Sequence, residues 1–473
     1  MVRLTLVLIA VVLHEATCLF NVYPDIPVVR SVRSDVDPGE PLFLSPLIKS
    51  GKIEDARNKA LVPPLKGAES VVSYSGYLTV DEAFNSNMFF WFFPAEKDYV
   101  SAPVVLWLQG GPGATSLFGL FTENGPLVVK TNQVLSTRQY SWSKTHNVIY
   151  IDNPVGTGFS FTDADEGFSR NQTAVGKNLY SALVQFFKLF PELAKNEFYV
   201  TGESYAGKYV PAVSYTIHKE NPTAALKINF QGMAIGNGLI DPEHMLHYGD
   251  YLYQLGLIDL NAKREFHKIE ARGIAAIQRK DWEAAFEVFD SLINGDLTTG
   301  PALFQNLTGF NFYFNYLHNT DPAESDPTAD FGILVQTPEV RKAIHVGNKP
   351  FSGLEANKVE KFLQQDIMKS VRPWIQELVE HYRVLIYNGQ LDIIVAYPLT
   401  LGALRALDWS AKNEYMRADR HKWYVGQELA GYAKTAGKLT EVLVRNAGHM
   451  VPGDQPKWAM DLIQRFTQNK PFY

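Results

Sequence analysis

Three side chains in this sequence have the types and the placement needed for nucleophilic catalysis, and each follows a short apolar run. The first is Ser204, in Gly202-Glu203-Ser204-Tyr205-Ala206-Gly207, directly after the strand-like residues 198–201. A serine hydroxyl is a weak nucleophile until a base takes its proton, and it must stand clear of the backbone to reach a carbonyl carbon. A tight strand-to-helix turn with small neighbours achieves this, and Ala206 stands where the second glycine of G-x-S-x-G is usual. The second is Asp392, in Asn388-Gly389-Gln390-Leu391-Asp392 after residues 384–387. The third is His449, in Asn446-Ala447-Gly448-His449-Met450-Val451-Pro452 after residues 442–444. In a serine-type mechanism Ser204 attacks, His449 carries the proton and Asp392 orients the imidazole.

Upstream, residues 104–108 run into Gln109-Gly110-Gly111-Pro112-Gly113, a bend that could present backbone N–H groups to a developing oxyanion. Singly, each of these features has an ordinary use: glycines make turns, and an aspartate after glycine is more often a turn former than an acid at work. Their order carries the reading, because a serine, an acid and a histidine fall in sequence at the C-terminal ends of successive strands. A metal centre is the weaker alternative. His244 and His247 are three apart without a nearby third ligand, and no H-E-x-x-H occurs, so neither metal nor cofactor is expected.

The elements that must hold these residues can be read from periodicity. Residues 74–79, 88–93, 104–108, 148–151 and 198–201 are short β-branched and aromatic runs. Residues 174–190 are helical, with Val175, Leu179, Leu183, Phe186 and Phe190 on one face. Strand, helix and strand in alternation predict a mainly parallel sheet with helices on both faces. Residues 239–337 lose the strand pattern; polar helical sequence such as 282–293 and the loop signals Asp321-Pro322 and Asp326-Pro327 predict a helical insertion over that sheet. The proline-dense residues 19–72 are expected to form an extended N-terminal arm, leaving 73–238 and 338–473 as the two parts of the core.

Composition sets the outer bounds. The chain has 473 residues, 46% of them hydrophobic, enough for one large core and an insertion. A net charge of −6 with 20% charged residues offers no basic face, so no nucleic-acid partner is expected. Residues 1–18 have the form of a secretory signal: Arg3, an apolar stretch over 4–13, then Ala16-Thr17-Cys18. That stretch is about half of what a membrane span needs, so no span is expected there. Asn171-Gln172-Thr173 and Asn306-Leu307-Thr308 are glycosylation acceptors, which agrees with secretion or delivery to an endolysosomal compartment, and Asn221-Pro222-Thr223 is not one.

Four longer motifs carry a resemblance. WLQGGPGATS (107–116), NPVGTGFSF (153–161), GESYAG (202–207) and GHMVP (448–452) resemble the serine carboxypeptidase family, whose fold is the α/β-hydrolase fold. Gln109 and the run YNGQLDIIV (387–395) look most like its vitellogenic-type members. The resemblance implies release of single amino acids from peptide C-termini through an acyl-enzyme on Ser204 at acidic pH. It implies oxyanion N–H donors at Gly111 and Tyr205, and a site for the substrate's carboxylate built from Gln109, Glu123 and Glu203. Glutamates can face a carboxylate only if they hold protons, and crowding two carboxyls raises one pKa. An esterase or acyltransferase on the same triad, and a weakly active storage or binding homologue, are the competing readings. Gln109 stands where most members have asparagine and Ala114 where cysteine is usual.

Cys18 is the only cysteine, so a chain that starts after it forms no disulfide. The thermal midpoint of the secreted protein is therefore expected to be the same with and without reductant. A clear drop on reduction would show that Cys18 is retained and paired between chains.

Overall fold

The short apolar runs pair side by side in the computed structural model, which describes residues 36–473 apart from 296, 298, 299, 327 and 353–355. The signal expected at 1–18, with Cys18, and the first part of the arm fall outside the described residues. Twelve strands form among them: β1 (Tyr74–Asp81), β2 (Ser86–Phe93), β3 (Val104–Leu108), β4 (Leu127–Lys130), β5 (Val134–Thr137), β6 (Asn147–Ile151), β7 (Phe198–Glu203), β8 (Phe230–Gly236), β9 (Arg383–Gly389), β10 (His421–Val425), β11 (Glu428–Ala436) and β12 (Leu439–Val444). Ten of them make one sheet in the order β1-β2-β6-β3-β7-β8-β9-β12-β11-β10, and β4 with β5 makes a separate hairpin. From β6 through β12 the neighbours are parallel; the two edges are antiparallel. This is the α/β architecture expected from the alternation of strands and helices.

Because strand side chains alternate in direction, a strand apolar at every position supplies two cores at once. In β2, Met88, Phe90 and Phe92 join one cluster while Phe89, Trp91 and Phe93 join the cluster on the opposite face. Helix α3 (Gln172–Leu189) covers the first face. Asn171 caps it, accepting from Ala174 N at 2.9 Å, and Phe186 lies 6.1 Å from the Phe90 ring and 5.0 Å from the Phe92 ring. Helix α4 (Ala206–Glu220) packs beside it and leads from β7 into β8.

Three features differ from the sequence expectation. The described part of the arm is not simply extended: it forms α1 (Ser45–Lys49) and α2 (Ile53–Ala60), and Leu44, Ile48, Ala56 and Ala60 are buried. Proline at the first turn starts a helix as readily as it ends one, as Pro46 does in α1. Backbone bonds from Leu44 N to Tyr77 O and from Tyr77 N to Leu42 O, both 2.9 Å, strap this segment to β1. Second, β8, β10 and β11 carry little apolar signal; Gly232 and Gly236 thin out β8, and Lys434 and Thr435 dilute β11. Third, the helices that begin at Pro242 do not stop at Thr337, and among the described residues no strand lies between β8 and β9. Within the described residues no helix is long and apolar enough to cross a membrane.

Phe186→Ala removes a ring packed among Phe90, Phe92, Phe187 and Phe190. It is expected to cost about 3–5 kcal/mol, read as a lowered thermal midpoint. Leu317→Ala, at a side chain 65% exposed, is the control expected to leave the midpoint unchanged.

Candidate active site

Ser204 sits between the last residue of β7 and the first of α4 with φ at +63°, the left-handed region that side chains other than glycine seldom adopt. Three backbone bonds hold it there: Ser204 N donates to Gly236 O at 3.0 Å, and Ser204 O accepts from Gly207 N at 2.9 Å and Leu239 N at 3.0 Å. The crowding explains the small neighbours. A Cβ on Gly202 would lie 2.6 Å from Leu108 O and 2.8 Å from the Ala206 Cβ, so with a glycine at 202 the methyl of Ala206 is accommodated. On Gly207 a Cβ would fall 2.6 Å from Leu239 N.

Asp392 and His449 come from the turns after β9 and β12, which are neighbouring parallel strands. His449 Nδ1 and Asp392 Oδ2 are 2.8 Å apart, and neither side chain is exposed. Asp392 Oδ2 also accepts from Asn237 Nδ2 at 2.6 Å, while Asn237 Oδ1 accepts from Gly389 N at 3.0 Å. The imidazole stacks on Phe314 at 4.8 Å, and His449 N donates to Phe314 O at 2.7 Å. With Nδ1 donating to the carboxylate, Nε2 is left as the acceptor, and among the described residues it has no hydrogen-bond partner.

The loop after β3 lies against the elbow. A Cβ on Gly110 would sit 2.6 Å from both Ser204 Cβ and Tyr205 N, so only glycine lets the two backbones approach. Gly111 has φ at +106°, and the N–H groups of Gly111 and Tyr205 have no hydrogen-bond acceptor among the described residues. Asp152 fixes the far side of the loop, accepting from Thr115 Oγ1 at 2.5 Å, Ser116 N at 3.0 Å and Phe159 N at 2.8 Å. Ser116 Oγ in turn donates to Ile151 O and accepts from Gln109 N.

Gln109, Glu123 and Glu203 meet in a fully buried polar pocket beside Ser204. Trp107 Nε1 can only donate, so the oxygen of the Gln109 amide faces it at 2.9 Å and the nitrogen donates to Glu203 Oε1 at 3.0 Å. Gly119 makes room for this contact, since a Cβ there would lie 2.1 Å from Trp107 Nε1. Glu123 ends a π-helical turn, Gly119–Glu123, whose Phe121 carbonyl accepts from Arg138. Neither Glu123 oxygen is in hydrogen-bonding geometry with a described donor, yet the carboxyl is near enough to Glu203 and Gln109 for both to affect its titration. Burial pushes Glu123 up to about 7. Burial, with the Glu123 charge close by, pushes Glu203 well above the carboxylate range.

A cleft opens at Ser204, and neither Glu123 nor Glu203 is among the residues that line it. Tyr248, Phe289, Ile367, Ile394 and Val395 give it apolar walls, with Asn294 and Glu360 as the polar members. His244 lies 2.7 Å from Asp241 and 3.0 Å from Arg372, and among the described residues no group of three or more His, Cys, Asp or Glu is placed to hold a metal ion. Asn171 and Asn306 are both exposed.

Asn237, Asp152 and Phe314 are absent from the sequence analysis, and Ser116 stands there only as the last residue of a motif, without a role. Asn237 follows the apolar residues 233–235 within Gly236-Asn237-Gly238, and recognising β8 would have drawn attention to it. Phe314 reaches His449 from the helical region by tertiary packing, which leaves no local signal.

A nucleophile elbow in a largely parallel sheet, followed in chain order by an acid and a histidine on later strands, defines an α/β-hydrolase. The serine carboxypeptidase family profile matches residues 63–469, and the chain belongs to that family. It is 58% identical over 453 residues to the venom serine carboxypeptidase of Apis mellifera, covering 96% of each chain. It is 51% identical over 440 residues to the vitellogenic carboxypeptidase of Aedes aegypti, covering 92% of each. The probable serine carboxypeptidase CPVL of Homo sapiens is 50% identical over 438 residues, with 92% of this chain and 91% of that one covered. The crystal structure of Kex1(delta)p, a prohormone-processing carboxypeptidase from Saccharomyces cerevisiae, shares the fold with a TM-score of 0.71 at 22% identity, over 87% of this chain and 96% of that one.

Ser204→Ala is expected to abolish both turnover and labelling by a fluorophosphonate probe, measured by gel fluorescence. His449→Ala should match it, and Asp392→Asn should be equal or milder because the imidazole stays stacked on Phe314. Labelling that persists in Ser204→Ala would refute the assignment.

Proposed function

We propose that the protein removes single residues from peptide C-termini, with Ser204 as nucleophile and the Glu123–Glu203 pair as the reader of the free carboxylate. One observation carries this reading: Glu203 is buried, held by Gln109, and adjacent in the chain to Ser204. A carboxylate reader next to the nucleophile in the chain supports an exopeptidase, since an internal peptide bond brings no carboxylate to the pocket.

The chemistry then divides among the groups described. Ser204 Oγ attacks the carbonyl carbon as its proton passes to His449 Nε2, and the N–H groups of Gly111 and Tyr205 receive the oxyanion. The C–N bond breaks, His449 returns the proton to the leaving amine, and the free amino acid departs. Water attacks the acyl-enzyme by the same route and restores Ser204. Gln109 donates to Glu203, and protonated carboxyls donate to the substrate carboxylate. The cleft walls of Tyr248, Phe289, Ile367, Ile394 and Val395 suit an apolar side chain on the residue that becomes the acyl group. Exposed acceptors at Asn171 and Asn306, with the signal read over 1–18, support a glycoprotein of the secretory pathway that is secreted or endolysosomal.

The sign of the pH dependence follows from the raised carboxyls. Below about 7 the pair holds protons and binds the carboxylate; above it Glu123 ionises first and the substrate end is repelled. KM for free-carboxylate peptides is expected to climb between pH 5 and about 8, while KM for a blocked ester, which brings no carboxylate to the pair, is expected not to follow it. Glu203→Gln, a permanent donor, should flatten the peptide profile. Coincident profiles for peptide and ester would remove the carboxylate site from this pocket and favour an esterase or acyltransferase.

A further inference from the structure

Four residues beyond the nucleophile, α4 carries a lysine with no exposure at all. The Lys208 ammonium donates to the carbonyl oxygens of Asp366 and Ile367, the latter at 2.9 Å, and lies 3.6 Å from Asp366 Oδ2. Two of its N–H groups thus go to backbone carbonyls, and Asp366 Oδ2, beyond hydrogen-bonding distance, is a charge partner only. Its target is the end of the helix Ala356–Ile367, where carbonyls run out of intrahelical partners and the backbone dipoles concentrate negative charge. Lys208 therefore caps that helix from the helix that begins at the elbow.

The capped helix is a wall of the cleft. Glu360 and Ile367 are seven residues apart, two turns on one face, and both line the cleft that holds Ser204. The last of them, Ile367, is itself a residue whose carbonyl Lys208 holds. Lys208 also stands 5.6 Å from the ring of Tyr205, another residue that lines the cleft. We propose that Lys208 is a positioning residue that fixes the Glu360–Ile367 wall at its distance from Ser204 and so sets which acyl side chains the enzyme accepts. Burial lowers the ammonium to about 8 against the pull of Asp366, with Lys369 adding to the lowering, so it is charged at acidic and neutral pH.

The proposal rests on the serine reading of the site, and the test uses substrates that bypass the carboxylate pocket. Steady-state kinetics are measured with N-acetylphenylalanine ethyl ester and N-acetylglycine ethyl ester at pH 6 in wild type, Lys208→Met, and the double variant Lys208→Met with Asp366→Leu. Exchanging both partners of a buried pair for apolar side chains is often close to neutral in stability, so the double variant keeps the test open if the single one does not fold. The ratio of kcat/KM for the phenylalanine ester over the glycine ester is expected to fall about tenfold, with the glycine ester within about threefold of wild type. Amide hydrogen exchange in the helix Ala356–Ile367 should rise in parallel. An unchanged ratio in a folded variant, or an equal loss on both esters, would overturn the positioning role and leave Lys208 a stabilising residue only. Ester turnover that survives Ser204→Ala would instead overturn the nucleophile assignment on which the proposal stands.

Discussion

The close approach of two backbones at Gly110 and Ser204 is the constraint on which the rest of the site depends. A single Cβ at Gly110 would be 2.6 Å from Ser204 Cβ. That contact brings Gly111, Ser204 and Tyr205 to the lining of one cleft, which the proposed mechanism requires. The approach is in turn secured from two sides. Asp152 draws the Gly110–Ser116 loop onto the turn after β6, and Gly236 with Leu239 holds Ser204 in its left-handed conformation. Strain of this kind costs on the order of 1–3 kcal/mol and persists only where the surroundings impose it.

The buried carboxyl pair solves a different problem. An ionised carboxylate in a dry pocket is costly, and two together are costlier, so the fold keeps them protonated by burial instead of pairing them with a cation. Arg138 is nearby, but it is engaged by the backbone carbonyls of Phe121 and Gly125. The pocket is consequently neutral in acid, the state that the proposed carboxylate reader requires.

Rigidity here comes from packing. With no cysteine after Cys18, the helical region between β8 and β9 is held by its buried side chains and by ties such as Lys208 to the helix Ala356–Ile367 and Tyr251 to Asp392 O at 2.9 Å. Aromatic rings do much of this: Phe90, Phe92, Phe186, Phe187 and Phe190 interlock on one face of the sheet, and Trp91, Phe93 and Tyr150 on the other.

What the sequence determined by itself was whatever depends on neighbours in the chain. The strands β2, β3, β6, β7 and β9 are apolar at consecutive positions because both their faces are buried, and α3 repeats at helical spacing because one face is. Ser204, Asp392 and His449 were legible because each follows such a strand, and the glycines at 110, 111 and 202 because close approach forbids any other side chain. The acid pair was legible only through resemblance: Glu123 lies eighty residues from Glu203, in a turn without periodicity. Tertiary structure alone decided the rest. The Asn237 bond to Asp392, the Phe314 ring under His449 and the Lys208 cap on a distant helix all join segments far apart in the chain. Such contacts are chosen by how the layers pack, and no local pattern of residues encodes them.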